Sequence, residues 1–243
     1  MARRLFKSVH MPDLNRRDVV LKMLAAGLGL HARPLLGETP AVCTLTCAQT
    51  LGPCYYSGTL VRPNITEGRS GLPTLLSFLV VDADTCQPIA NAAIDIWHTD
   101  AQGIYSAPIN AFCNPNDASA RTMAFCRGVQ LTGSDGQAHF NTIYPGWYSG
   151  RTTHIHATIR VNGNAMVTTQ FYFDDALSDA IYSAHPSYSN RPVKDTTNLR
   201  DNVIGGSAAR VAPYLFASKL ILGKSLVARK TIAIRKSPTT CNA

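Results

Sequence analysis

Tyr144-Pro145-Gly146-Trp147-Tyr148-Ser149-Gly150-Arg151-Thr152-Thr153-His154-Ile155-His156 is the stretch on which the reading of this 243-residue chain turns. A Pro-Gly turn delivers an aromatic-rich segment into an alternating run that ends in two imidazoles. In an extended strand residues i and i+2 share a face, so His154 and His156 can meet one ion while Ile155 packs behind them. Tyr148 stands just before the strand, and Arg151 three residues ahead of the first imidazole. Taken alone, a His-x-His pair also suits a half-exposed strand, and Tyr148 alone reads as an aromatic packed beside a turn.

Outward from that segment the chain keeps the period of strands. Residues 75–81, 92–97, 137–143, 153–161 and 166–173 are short runs rich in β-branched and aromatic side chains, separated by turn signals such as Gly133-Ser134-Asp135-Gly136 and Asn162-Gly163-Asn164. Residues 175–183 read as the one helix, and residues 226–234 as a late, basic edge strand. Such spacing predicts an all-β chain: a single β-sandwich domain with loop-rich additions and little helix. With 17 Gly, 14 Pro and 16% charged residues, the composition is that of a loop-rich globular chain long enough for one well-buried core.

Charge and cysteine usage narrow the setting. The formal net charge is +8, but residues 1–38 hold seven Lys/Arg against three Asp/Glu, so about half of the excess belongs to the N-terminus. The remainder is spread thinly, without a basic cluster interleaved with aromatics, which argues against a nucleic-acid partner. Asn15-Arg16-Arg17-Asp18-Val19-Val20-Leu21 matches a twin-arginine pattern, and the apolar run that follows, residues 23–30, is too short to span a bilayer. The expected organisation is therefore a signal segment and linker over residues 1–40 and a β-sandwich domain over 41–243, exported to the periplasm or beyond, with no stable membrane span after processing. Seven cysteines without Cys-x-x-Cys spacing suit an oxidising destination, and the odd number leaves at least one thiol unpaired. Cys113 and Cys126 flank a loop that a bridge would close.

The motif and its surroundings resemble the intradiol ring-cleavage dioxygenases, the protocatechuate and catechol dioxygenase family, whose signatures are Pro-Gly-x-Tyr and Arg-x-x-His-x-His. Similar stretches are Leu51-Gly-Pro-Cys-Tyr-Tyr56, Ala93-Ile-Asp-Ile-Trp-His98 with Asp100-Ala-Gln-Gly-Ile-Tyr105, Arg127-Gly-Val-Gln-Leu-Thr132 and Thr168-Thr-Gln-Phe-Tyr-Phe173, so the resemblance takes in about residues 50 to 205.

It implies a ferric ion, Fe(3+), held by Tyr105, Tyr148, His154 and His156, with small-molecule catechols and O2 as partners. In that scheme Tyr148 is the axial tyrosinate and doubles as a base, Arg151 stabilises negative charge developing near the ring, and Gln170 supports it. Hard anionic oxygen donors favour the ferric state, whereas Fe(II) oxygenases generally pair two histidines with a carboxylate. Carboxylates are scarce here: after position 38 the only glutamate is Glu67, and no Asp falls within residues 144–156. Asp100 or Asp174 is left to complete an alternative Fe(II) or copper site, and a non-catalytic, transthyretin-like binding sandwich is the other alternative. Trp97 and His98 read as structural, His139 and His185 as surface or hydrogen-bonded histidines. The ring substituent and the number of subunits stay open.

Overall fold

Strand β1 (Pro73–Asp82) shows how the alternating runs fold: Leu76, Phe78 and Val80 turn inward and are almost fully buried, between the more exposed Leu75, Ser77 and Leu79. The computed structural model describes residues 43–58, 60–115, 117–222, 224–235 and Cys241. Within them β1 is joined by β2 (Ala93–Trp97), β3 (Arg127–Leu131), β4 (Gln137–Ile143), β5 (His154–Val161), β6 (Asn164–Tyr172), β7 (Ala217–Ile221) and β8 (Ser225–Ile234). Two four-stranded sheets result, ordered β4-β1-β8-β7 and β3-β2-β5-β6. Pairing is antiparallel throughout except between β1 and β8, which run parallel.

The sheets face each other across one core. Phe78 from the first sheet meets Phe171 from the second and Phe216, with Phe140 packed against Phe78, at ring-centroid distances of 5.8 to 6.2 Å. Ile94, Ile96, Ile155 and Ile159 complete the second sheet's contribution. The expected all-β sandwich is thus the fold found. Among the described residues helix is confined to α1 (Asp175–Ala184), capped by Asp174 accepting from the Leu177 N–H, the single turn α2 (Ala208–Val211), and three short 3-10 turns. Among the described residues no helix is long and apolar enough to cross a membrane.

Three expectations need correction or placement. The strand expected at residues 226–234 is not an edge: β8 lies between β1 and β7, and the edge belongs to β7 (Ala217–Ile221), a short, mostly exposed strand whose pattern does not alternate. The loop-closing bridge between Cys113 and Cys126 does not form. Instead the disulfides are Cys43–Cys86, Cys47–Cys241 and Cys54–Cys113, while Cys126 is the buried free thiol. The signal segment expected over residues 1–40 lies outside the described residues.

On the outer face of the second sheet, Trp97, His156 and Gln170 stand in register across β2, β5 and β6, with His154 opposite Tyr172 beside them. That row is where the loops converge.

Candidate active site

Alternation along β5 divides its side chains: Ile155, Ala157 and Ile159 enter the core, and His154 and His156 point away from it. Both imidazoles are nonetheless buried. Tyr148 arrives through the Pro145-Gly146 turn, where Gly146 N–H donates to the Asp100 carbonyl (2.9 Å) and a Cβ would collide with the Ala101 carbonyl, so only glycine lets the two loops touch. Tyr105 arrives on a loop whose start is folded by Asp100, a carboxylate accepting from the Gln102 and Ile104 N–H groups at 2.9 and 3.1 Å. At its end the Tyr105 N–H donates to the Cys113 carbonyl (3.0 Å). Asp100 is therefore committed to loop geometry and Asp174 to the cap of α1, and neither joins the histidines.

The four predicted donors meet. His154 Nε2 lies 3.2 Å from His156 Nε2, 3.2 Å from the Tyr148 hydroxyl and 3.3 Å from the Tyr105 hydroxyl. The Nδ1–H of His154 donates to the Thr152 carbonyl at 2.7 Å, which leaves Nε2 bare. One bare nitrogen cannot satisfy three neighbours by hydrogen bonding. Donors each about 2.0–2.1 Å from a shared ion, however, stand roughly 2.8–3.4 Å apart, so the spacing fits a metal. Among the described residues no group of three or more His, Cys, Asp or Glu side chains forms a site, and the set available is two imidazoles and two phenols. Hard oxygen plus imidazole suits a ferric ion.

Electrostatics agree with that donor set. Burial, reinforced by the Arg151 charge, pulls His154 down to about 3, and burial with the neighbouring His154 holds His156 well below its ordinary value, so both rings stay neutral. Burial raises both phenols, and the Arg151 charge offsets part of that rise at each.

Arg151 and Gln170 stand beside the donors. The Arg151 Nη1 lies 3.5 Å from both the Tyr148 hydroxyl and His154 Nε2, and Nη2 donates to Gln170 Oε1 at 2.5 Å. Gln170 Nε2 in turn donates to the Thr50 carbonyl (2.9 Å). Asp201, which the sequence reading missed, accepts from Arg151 Nε (2.8 Å) and Thr152 N–H (2.9 Å) through one oxygen and from Val203 N–H (2.9 Å) through the other. Burial opposes the Arg151 charge, but Asp201 and Tyr148 outweigh it, and the pKa sits above its ordinary value. Arg127, also missed, is fully buried and reaches the Cys54 carbonyl (2.8 Å) and Ser106 carbonyl (2.8 Å), tying together the segments that carry Cys54 and Tyr105. Composition offers no signal for Asp201; the Arg127 stretch was recognised without a role.

A cavity of about 350 Å³ opens onto the centre, lined by Tyr105, Tyr148, Arg151, Phe112, Val203 and the Cys54–Cys113 bridge among others. A larger hollow of about 660 Å³ on the outer face of the first sheet brings no comparable donors together. His98 is buried between the Thr99 carbonyl and Thr142, and His139 is exposed against Ser77, both as expected.

Comparison with known proteins points the same way. A family model described as a dioxygenase matches residues 54–210. The chain is 26% identical over 210 residues to 6-chlorohydroxyquinol 1,2-dioxygenase of Cupriavidus pinatubonensis, covering 76% of this chain and 72% of that protein. Catechol 1,2-dioxygenase 1 of Acinetobacter lwoffii is 24% identical over 190 residues, 64% of this chain and 56% of its own length. Among solved structures, an intradiol ring-cleavage dioxygenase from Tetranychus urticae superposes with a TM-score of 0.69 at 30% identity, over 82% of this chain and 98% of that one.

Proposed function

The chain belongs to the intradiol ring-cleavage dioxygenase family, and from that premise we propose that it opens a catecholic ring with O2 at a ferric ion held by Tyr105, Tyr148, His154 and His156. The observation that carries this is the approach of three donors to within 3.2 to 3.3 Å of His154 Nε2, beside a fixed guanidinium and at the floor of a cavity. Two neutral imidazoles and two phenols are the donor set expected for ferric rather than ferrous chemistry, and the absence of a third His, Cys, Asp or Glu beside them among the described residues weighs against the Fe(II) or copper alternative. A binding sandwich has no use for such a buried cluster.

When bound, the ferric ion would supply Lewis acidity that favours the ionised catechol and raises electron density on its ring. Tyr148, on the cavity wall beside Arg151, is placed to take a proton from a substrate hydroxyl at its Oη. Arg151 faces the same space with a charge that does not titrate, so negative charge developing on the ring meets a preorganised partner. Gln170 and Asp201 fix the plane of that guanidinium from two sides. Phe112, Pro53 and Val203 give the walls an apolar surface that limits water. The bond between the two hydroxyl-bearing carbons breaks, each becomes a carboxyl carbon, and both oxygen atoms of O2 enter the muconate-type product, so no reductant is consumed.

Among the described residues Arg151 is the one charged side chain lining the cavity, and Asp201 already pairs with it. Catechols without a carboxylate are therefore the favoured substrates. We also propose an oxidising destination reached through the twin-arginine segment, a reading that the three disulfides support. The test is oxygen uptake by the iron-loaded protein over a panel of catechol, methylcatechol, hydroxyquinol and 3,4-dihydroxybenzoate. One O2 consumed per ring without added reductant, fastest on rings lacking a carboxylate, is expected. Stoichiometric iron with no uptake on any member would contradict the proposal.

A further inference from the structure

The two imidazoles are held in different ways. His154 is aimed by a hydrogen bond, its Nδ1–H to the Thr152 carbonyl at 2.7 Å. His156 has no such anchor: its Nδ1 is buried without a hydrogen-bond partner. Metal-ligating histidines generally use the second ring nitrogen to fix orientation, so something else must do so here. Directly across the strand pair, the Trp97 indole stacks on the His156 ring with centroids 4.9 Å apart and planes 8° from parallel. Trp97 is itself almost fully buried and its Nε1 also lacks a partner, so no hydrogen bond fixes the indole either. Tyr55 meets it edge-on at 4.8 Å, and the Tyr55 hydroxyl is held by Asp95 at 3.1 Å and Arg160 at 2.9 Å. At the Cε1 side of His156, Gly52 leaves so little room that a Cβ there would sit 3.1 Å from that atom.

We propose that Trp97 is a positioning residue for the metal centre, orienting His156 by face-to-face stacking in place of a hydrogen bond, with Tyr55, Asp95 and Arg160 as its backing. The inference rests on the four-donor reading above. A flat aromatic over a neutral imidazole restricts ring tilt while leaving rotation in the plane to be fixed by the close approach of Gly52. Loss of the stack leaves His156 free to swing away from the ion, whereas the His154 anchor is untouched. Replacing outer partners of a metal ligand characteristically weakens binding about ten- to a hundredfold.

Trp97→Leu tests this against Phe140→Leu, a comparable loss in the sandwich core away from the centre. Thermal unfolding follows the general cost of each, iron titration gives the affinity, and the tyrosinate-to-iron absorption band reports the geometry of the donor set. We expect Trp97→Leu to weaken iron binding at least tenfold and to shift the band, Phe140→Leu to do neither, and Trp97→Phe to recover most of the affinity. In the metal-free protein the His156 Cε1–H resonance should carry a ring-current shift that disappears in Trp97→Leu while that of His154 stays. Parental affinity and band in Trp97→Leu would overturn the proposal. Should that variant fail to fold, Trp97→Met, which fills the space without a ring, takes its place: weakened iron binding with a moved band and a lost His156 ring-current shift supports the proposal, and parental affinity and band overturn it. A parent protein that binds no iron would instead remove the metal reading, while the resonance measurement still judges the stacking.

Discussion

Arg151 connects four side chains of the site. Its guanidinium touches Tyr148, His154, Gln170 and Asp201 at once, so its position is over-determined. Arg151→Ala should leave iron content near that of the parent yet slow the oxygen-dependent step about a hundred- to a thousandfold, which stopped-flow mixing of the preformed substrate complex with O2 would show. Asp201→Asn removes the charge but keeps the shape, and a loss of roughly ten- to a hundredfold in kcat/KM with iron unchanged is expected. A parental value would mean that Gln170 alone holds the guanidinium. His98 illustrates a titration without a catalytic role. Burial draws its imidazole from 6.5 to about 4, so it is neutral in the folded chain and protonates on unfolding. Its contribution is therefore present above about pH 6.5 and lost as the pH falls toward 4, amounting to about 2–3 kcal/mol at pH 4.5. Urea unfolding of the metal-free protein at pH 7 and 4.5 should show that much less acid sensitivity in His98→Gln than in the parent. The His-x-His pair, Tyr148 and Arg151 were legible in the sequence because they lie within one short motif on one turn and one strand, whose resemblance to a known family supplied their roles. Asp201 was not, because its partner is fifty residues away and only the fold brings them together.

Strand β5 carries core and site at once, one on each face, which is why its alternating pattern could be read so closely. The expected strand at residues 137–143 coincides with β4, and the expected helix at 175–183 with α1 to within one residue, since turn residues and the Asp174 cap mark their ends. Sheet order is different in kind. β8 pairs with β1 from the far end of the chain, and a basic alternating strand looks the same whether it has one neighbour or two. β7 escaped notice because four of its five residues are exposed and none alternates. Likewise, the Cys54–Cys113 bridge joins two loops rather than closing one, and the Tyr105 N–H leans on the carbonyl of Cys113 at 3.0 Å. Replacing both cysteines by alanine should cost about 2–4 kcal/mol, lowering the melting temperature by roughly 5–15 °C. It should also weaken iron retention, since the Tyr105 loop loses its tether. Unaltered iron affinity in a destabilised variant would confine the bridge to a stabilising role.

At the scale of the molecule, two sheets make a core that needs nothing from the site, and the site is assembled outside that core by loops laid over one sheet. Three disulfides and Arg127 fasten those loops and the segments around Cys43, Cys47 and Cys241 to the sandwich. Such a division lets the cavity lining vary, at Phe112, Asn202 and Val203 for instance, without disturbing the buried donors beneath. It also explains why the fold class was readable from one sequence, and the proposed donors through a family resemblance, while the cavity walls were not: the walls come from loops without periodicity, placed by contacts distant in the chain. The central claim is that this centre breaks the bond between the two hydroxyl-bearing carbons and puts both atoms of O2 into the product. Mass analysis of the product formed from catechol under 18O2 by the iron-loaded protein tests it most directly. A muconate-type diacid carrying two labelled oxygens is predicted. A product with one labelled oxygen, or one opened beside rather than between the hydroxyl-bearing carbons, would contradict it.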